Sequence, residues 1–119
     1  MPKQEINLYI EDIYFSCNKI ANYTKDYNFE KFRKDEKTVD AVVRNLEIIG
    51  EAAKNIPPKL RKQYKEIPWT KIISMRNKIT HEYFGIDHSI LWKTVEEDIP
   101  TLKKKISKIK QTFIKRPLF

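Results

Sequence analysis

Apolar residues return at steps of three and four along most of this chain, and no other feature restricts its fold so strongly. Ile6, Ile10, Ile13, Cys17 and Ile20 draw one stripe along a first helix of roughly five turns. A second stripe of Val39, Val42 or Val43, Leu46, Ile49 and Ala53 runs along a helix from Lys37 to Asn55. A third helix is expected over 68–85, with Ile72, Ile73, Met75 and Ile79, and a last one carries Leu102, Ile106, Ile109 and Phe113. Sheet proteins need apolar residues at every second position and turn dipeptides between strands. This chain has neither, and holds only two glycines. The reading is all-α, an antiparallel bundle of four or five helices joined by short connections. Its 119 residues fit a single domain, 1–119, with no internal repeat or long linker.

Proline and capping residues mark where the helices stop. Asn28 is placed to cap a short helix, FEKFRK, and the aromatics around it, Tyr23, Tyr27, Phe29 and Phe32, plug an end of the bundle. Pro57 and Pro58 end the second long helix, because proline cannot continue the hydrogen-bond ladder. KLRKQY then bridges to the third, with Leu60, Tyr64, Ile67 and Trp69 as a hydrophobic hinge. Pro68 is tolerated in a first turn, and Gly85 suits a left-handed cap. Asp87 can cap HSILWKTVEED; Pro100 is expected to kink that helix or divide it from the last segment, with Asp98 as a fresh N-cap. Gly50, Ala52 and Ala53 thin the second helix where another backbone can approach closely. Arg44, Glu47 and Glu51 sit on neighbouring turns and are expected to pair along the surface, an interhelical or intersubunit ion pair being the sharper alternative.

The balance of 24 Lys and Arg against 16 Asp and Glu, net +8, suits a polyanionic partner such as nucleic acid, or simply a lysine-rich surface. The last segment repeats that choice, since Lys103, Lys104, Lys105, Lys108 and Lys110 make either a solvated face or a surface that tracks phosphates. Lys78, Lys103 and Lys104 are the candidate RNA contacts. One cysteine excludes a disulfide framework, and with two histidines no zinc-ligand spacing is present, so neither metal nor cofactor is expected. Cys17 should pack as a small apolar residue. The N-terminal stretch lacks an uninterrupted apolar core, so a cytoplasmic location without a membrane anchor is expected.

One helix carries more than packing requires. At ~100° per residue, Ile72, Arg76, Ile79 and Tyr83 share a narrow stripe, so a guanidinium leaves a face that should be buried and must meet an anion or a partner. Asn77 and His81 are spaced i, i+4, where an amide can orient an imidazole. Arg76 lies ~140° round the helix from His81, yet its side chain is long enough to swing toward it. A proton-transfer group and a fixed cation are a sensible minimum for metal-free RNA cleavage. One histidine cannot easily serve as base and acid at once, whereas two copies related by a twofold axis can. The bland reading stays open beside it: His81 favoured by the helix dipole, and Arg76 in a structural ion pair.

At these residues the sequence resembles a known family. Arg76, four intervening residues, His81, one residue and Tyr83 match the RX4HXY pattern of the HepT-like toxins of the HEPN superfamily. The tracts DAVVRNLEIIGEAA, IPWTKIISMRNKITHEYFGID and LWKTVEEDIPTLKKKI follow that family in order and spacing. The resemblance implies a HEPN-like homodimer with both motifs meeting in an interface cleft, acting as a metal-independent endoribonuclease on tRNA or mRNA. It implies roles too: Arg76 on the phosphate, Asn77 as its polar companion, His81 as acid or base. Tyr83 would accept AMP from a nucleotidyltransferase antitoxin, which silences the toxin. Glu82 departs from the small residue of the family pattern and opposes RNA binding. A non-catalytic helical module that serves as scaffold or substrate for the nucleotidyltransferase is the alternative.

Overall fold

The computed structural model describes residues 3–81 and 85–114. Among the described residues seven α-helices follow in order: α1 (Lys3–Tyr23), α2 (Phe29–Lys34), α3 (Glu36–Asn55), α4 (Pro58–Gln63), α5 (Trp69–His81), α6 (His88–Lys93) and α7 (Ile99–Ile114). A π-helical turn, Thr94–Asp98, joins the last two, and no strand occurs among the described residues. α3 packs between α1 and α5, and α1 between α3 and α7, so the four long helices run in the spatial order α5, α3, α1, α7. The short α2 and α6 touch each other. This is the expected all-α bundle. None of its described helices is long and apolar enough to cross a membrane.

The stripes become the core. Ile10, Ile13, Cys17 and Ile20 of α1 are buried, as are Val39, Val42, Val43, Leu46, Ile49 and Ala53 of α3 and Leu102, Ile106 and Ile109 of α7. Ile6 is only half-buried, and the side chain of Phe113 lies outside the described residues. Phe32 is wholly buried and packs against Trp92 with ring centroids 5.2 Å apart, whereas Tyr23 remains exposed. Ile67 and Trp69 are buried in the bridge, and the Trp69 indole N–H donates to the carbonyls of Arg61 (3.1 Å) and Tyr64 (3.0 Å). Burial in this apolar setting pushes the Cys17 thiol up to about 12. Cys17 should therefore resist thiol reagents in the native protein and react once urea unfolds it. Equal labelling rates with and without urea would refute that burial.

Capping residues close the helix ends. Asn28 Oδ1 accepts from the Lys31 N–H at 2.8 Å, and Asp87 Oδ1 from that of Ser89 at 2.8 Å. Asp35, between α2 and α3, does more. Its carboxylate accepts from the Tyr27 hydroxyl (2.6 Å), the Thr38 hydroxyl (2.7 Å) and the Thr38 N–H (3.1 Å). These bonds, the Tyr27 one foremost, lower its pKa to about 2. A carboxylate depressed on folding contributes stability that is present above its unfolded value of about 3.9 and disappears as pH falls through the folded value. Between pH 4 and 2 the melting temperature should thus fall more steeply for the wild type than for Asp35→Asn, by calorimetry.

The Gly85 cap and the Asp98 N-cap are corrected, and the end foreseen for the third long helix falls partly outside the described residues. Gly85 has no positive φ, so the left-handed cap foreseen there is not formed. The third long helix starts at Trp69 and its described part ends at His81, while Glu82 and Tyr83 lie outside the described residues. Pro100 does not break the chain's helical path and Asp98 is no N-cap. The backbone widens into the π turn just before Pro100, and Asp98 sits inside it. Proline lacks the N–H that would bond four residues back and its ring crowds that carbonyl, so a wider turn at this point removes both conflicts. Asp98 spends its carboxylate on Lys71 of α5 at 2.9 Å.

Candidate active site

α5 is set against α3 by the absence of a side chain. A Cβ added to Gly50 would lie 2.1 Å from Arg76 Cβ and 2.7 Å from its Cγ, so the two helices cross with the Arg76 stem filling the place of that missing group. This is the close approach that Gly50, Ala52 and Ala53 announce. Ile72 and Met75 are half-buried and Ile79 is buried on the same side of α5. The stripe that carries Arg76 therefore packs on the chain's own α3.

With its stem fixed, the guanidinium has two partners. Nη2 meets Glu51 Oε2 at 2.6 Å, and Nη1 donates to Asn77 Oδ1 at 2.9 Å. The Arg76 side chain is 21% exposed and that of Glu51 51%, so the pair contributes under about 1 kcal/mol to stability. Its effect is directional: two points of attachment hold a planar cation in one orientation. The anion that the stripe demanded is thus Glu51, and the interhelical ion pair is realised in place of the surface pairing expected for that residue. The swing of Arg76 toward the Asn77 and His81 face is also realised. Asn77 and His81 are both exposed, His81 as the last residue of α5. Asn77 gives its carbonyl oxygen to Arg76, and no hydrogen bond joins it to His81 among the described residues.

Beside Arg76 opens a groove of about 320 Å³ between α1, α3 and α5, lined by Tyr9, Asp12, Arg44, Glu47, Glu51 and Thr80 among others. Two arginines there face three carboxylates. Partial desolvation, and then the neighbouring Glu11, raise the Asp12 carboxyl above its ordinary value. With three carboxylates against two arginines, the groove is acidic on balance by formal charge. Lys78 is exposed on the outer face of α5 next to Asn77. Lys103 and Lys104 lie on α7, Lys104 exposed and Lys103 half-buried, and neither lines the groove. Tyr83 lies outside the described residues. Asp12 had no assigned role in the sequence, and Glu51 had an ion pair without a named partner; the Gly50-Glu51 pair opposite an arginine-bearing stripe was the available signal for that partner. No group of three or more metal-ligating side chains occurs among the described residues.

Asn77 and His81 on the outer face of α5, with the Arg76 guanidinium bonded to Asn77 from the side of α3, are the candidate site of this all-α bundle. Residues 13–109 match the family described as ribonuclease HepT-like, and the chain belongs to that family. It is 50% identical over 103 residues, 87% of this chain and 94% of the relative, to "Probable ribonuclease HepT" of Thermococcus cleftensis. It is 41% identical over 109 residues, 92% of this chain and 94% of the relative, to "Putative RNase MJ0125" of Methanocaldococcus jannaschii. A third relative, "Putative RNase TTE0752" of Caldanaerobacter subterraneus, is 43% identical over 103 residues, 87% of this chain and 92% of its own. No solved structure matches the chain at a significant level.

Proposed function

We propose that this protein is a metal-independent endoribonuclease, the toxin of a toxin-antitoxin pair, and that it acts as a homodimer. The observation that carries the reading is the Arg76 guanidinium, anchored at Gly50 and Glu51 and directed to Asn77 on the face that bears His81. In this reading His81 takes the proton of a ribose 2′-hydroxyl, and the 2′-oxygen attacks the adjacent phosphorus. The 5′-oxygen leaves with a proton from the same histidine of the second subunit, and Arg76 stabilises the charge gathering on the phosphoryl oxygens. The products are a 2′,3′-cyclic phosphate and a 5′-hydroxyl. Purified protein incubated with tRNA and mRNA in EDTA should yield those ends; intact RNA after treatment with the unmodified protein would sink the proposal.

Regulation belongs to the same reading. The Tyr83 hydroxyl attacks the α-phosphorus of ATP in a nucleotidyltransferase antitoxin, pyrophosphate leaves, and the AMP group places negative charge beside the arginine. Intact mass after mixing with such a partner and ATP should rise by AMP units in the wild type and stay constant in Tyr83→Phe. One observation favours a second reading, a non-catalytic module for the same partner: Arg76 is already engaged by Glu51 and Asn77 within one chain. AMP transfer to Tyr83 without RNA cleavage would select it.

A further inference from the structure

The groove at Arg76 is acidic on balance, yet the chain carries a net charge of +8. Part of that excess is gathered at the other end of the same helix. Where α4 meets the start of α5, an open groove of about 760 Å³ is lined by Arg61, Lys62, Lys65 and Lys71 together with Trp69, and by no carboxylate. Its frame is rigid. The Trp69 indole N–H bonds two carbonyls of the bridge, Arg61 Nε holds the Ile56 carbonyl at 3.1 Å, and Lys105 reaches from α7 to the Glu66 carbonyl at 2.7 Å. Lys71 is paired with Asp98, whereas Lys62 and Lys65 are exposed and make no ion pair among the described residues.

A polar track connects this groove to the candidate site. Thr70, Lys71, Ser74, Asn77, Lys78 and His81 are all exposed, and at ~100° per residue they fall on one side of α5. The track opens in the groove, which Thr70 and Lys71 line, and ends at His81. Trp69 and His81 are separated by ~18 Å along the axis at 1.5 Å per residue, a distance that a few nucleotides of single strand span.

We propose that the groove between α4 and α5 binds the sugar-phosphate backbone of single-stranded RNA, a few nucleotides away from the bond presented to His81. This rests on the reading of RNA as the ligand of the site. Lys62 and Lys65 supply the mobile cations, Arg61 a fixed one, and the outer face of α5 carries the strand onward. Affinity for RNA then resides mainly in the groove, and the acidic pocket at Arg76 contributes little of it.

The test measures binding apart from cleavage. A 2′-O-methyl RNA of about twelve nucleotides keeps every phosphate and bars 2′-hydroxyl attack, so its fluorescence anisotropy in EDTA reports the anchor alone. Between about 50 and 200 mM salt, Lys62→Glu/Lys65→Glu should flatten the slope of log affinity against log salt by at least about 1.4, at ~0.7 per phosphate contact. Lys25→Glu/Lys37→Glu, two exposed lysines at the turn and helix start near α2, should keep the wild-type slope. Equal slopes for the two double variants, or no binding by the wild type, would overturn the assignment. Normal groove binding with no cleavage of ordinary RNA would overturn the nuclease reading and leave the groove standing.

Discussion

His81→Ala should lose RNA cleavage by about 10²–10⁴-fold while the protein stays folded. His81 is exposed at the end of α5, so its removal empties no cavity, and the stability change should stay within about 0.5 kcal/mol. A large loss of rate with an unchanged denaturation curve is the signature of a proton-transfer group. Arg76→Lys should resemble it by a different route. The charge is kept, but an ammonium cannot hold Glu51 and Asn77 at once with a planar fork. If His81→Ala cuts RNA at the wild-type rate, the proton must travel through another group and the assignment of His81 fails.

Gly50→Ala should destabilise the protein, although alanine is the better helix former by ~0.8–1.0 kcal/mol. The new Cβ would stand 2.1 Å from Arg76 Cβ and 3.3 Å from its Cα, atoms at the root of a side chain that no rotation can move. α3 and α5 would have to separate, and overpacking of this kind costs ~1–3 kcal/mol or more. The expected net result is a loss of at least about 1 kcal/mol, read from the urea midpoint. Cleavage should fall as well, because Arg76 moves away from Glu51. Gly85→Ala is the contrast: nothing lies within 4 Å of its added Cβ and its φ is not positive, so it should change stability by no more than about 0.5 kcal/mol. Equal effects of the two substitutions would mean that the helix crossing does not depend on Gly50.

What the sequence disclosed and what it hid follow one physical line. Periodicity reports which face of a helix is buried, and Ile10, Ile13, Val42, Leu46 and Ile106 went inside as their spacing requires. Local caps such as Asn28 and Asp87 involve only their own next turn, so they too were legible. Asp35 was harder, since its strongest bond comes from Tyr27, eight residues earlier and on a different element. The partner of Arg76 lies on α3, and spacing within α5 alone holds no information about which carboxylate a crossing helix presents. The helical stripe therefore located the arginine correctly and was silent on its anion. Tyr83, whose role rests on the family pattern, lies outside the described residues.

The π turn between α6 and α7 has a consequence for length. Leu91, Val95, Ile99, Leu102, Ile106 and Ile109 are all buried, on steps of four and three. A π turn holds one residue more than an α turn. Deleting one residue between 94 and 98 would therefore let the turn close to α and leave α7 in place, whereas inserting one, with α6 held by Phe32 through Trp92, would turn every later side chain by ~100° and bring lysines to α1 where isoleucines now meet it. In this segment the number of residues sets an angle.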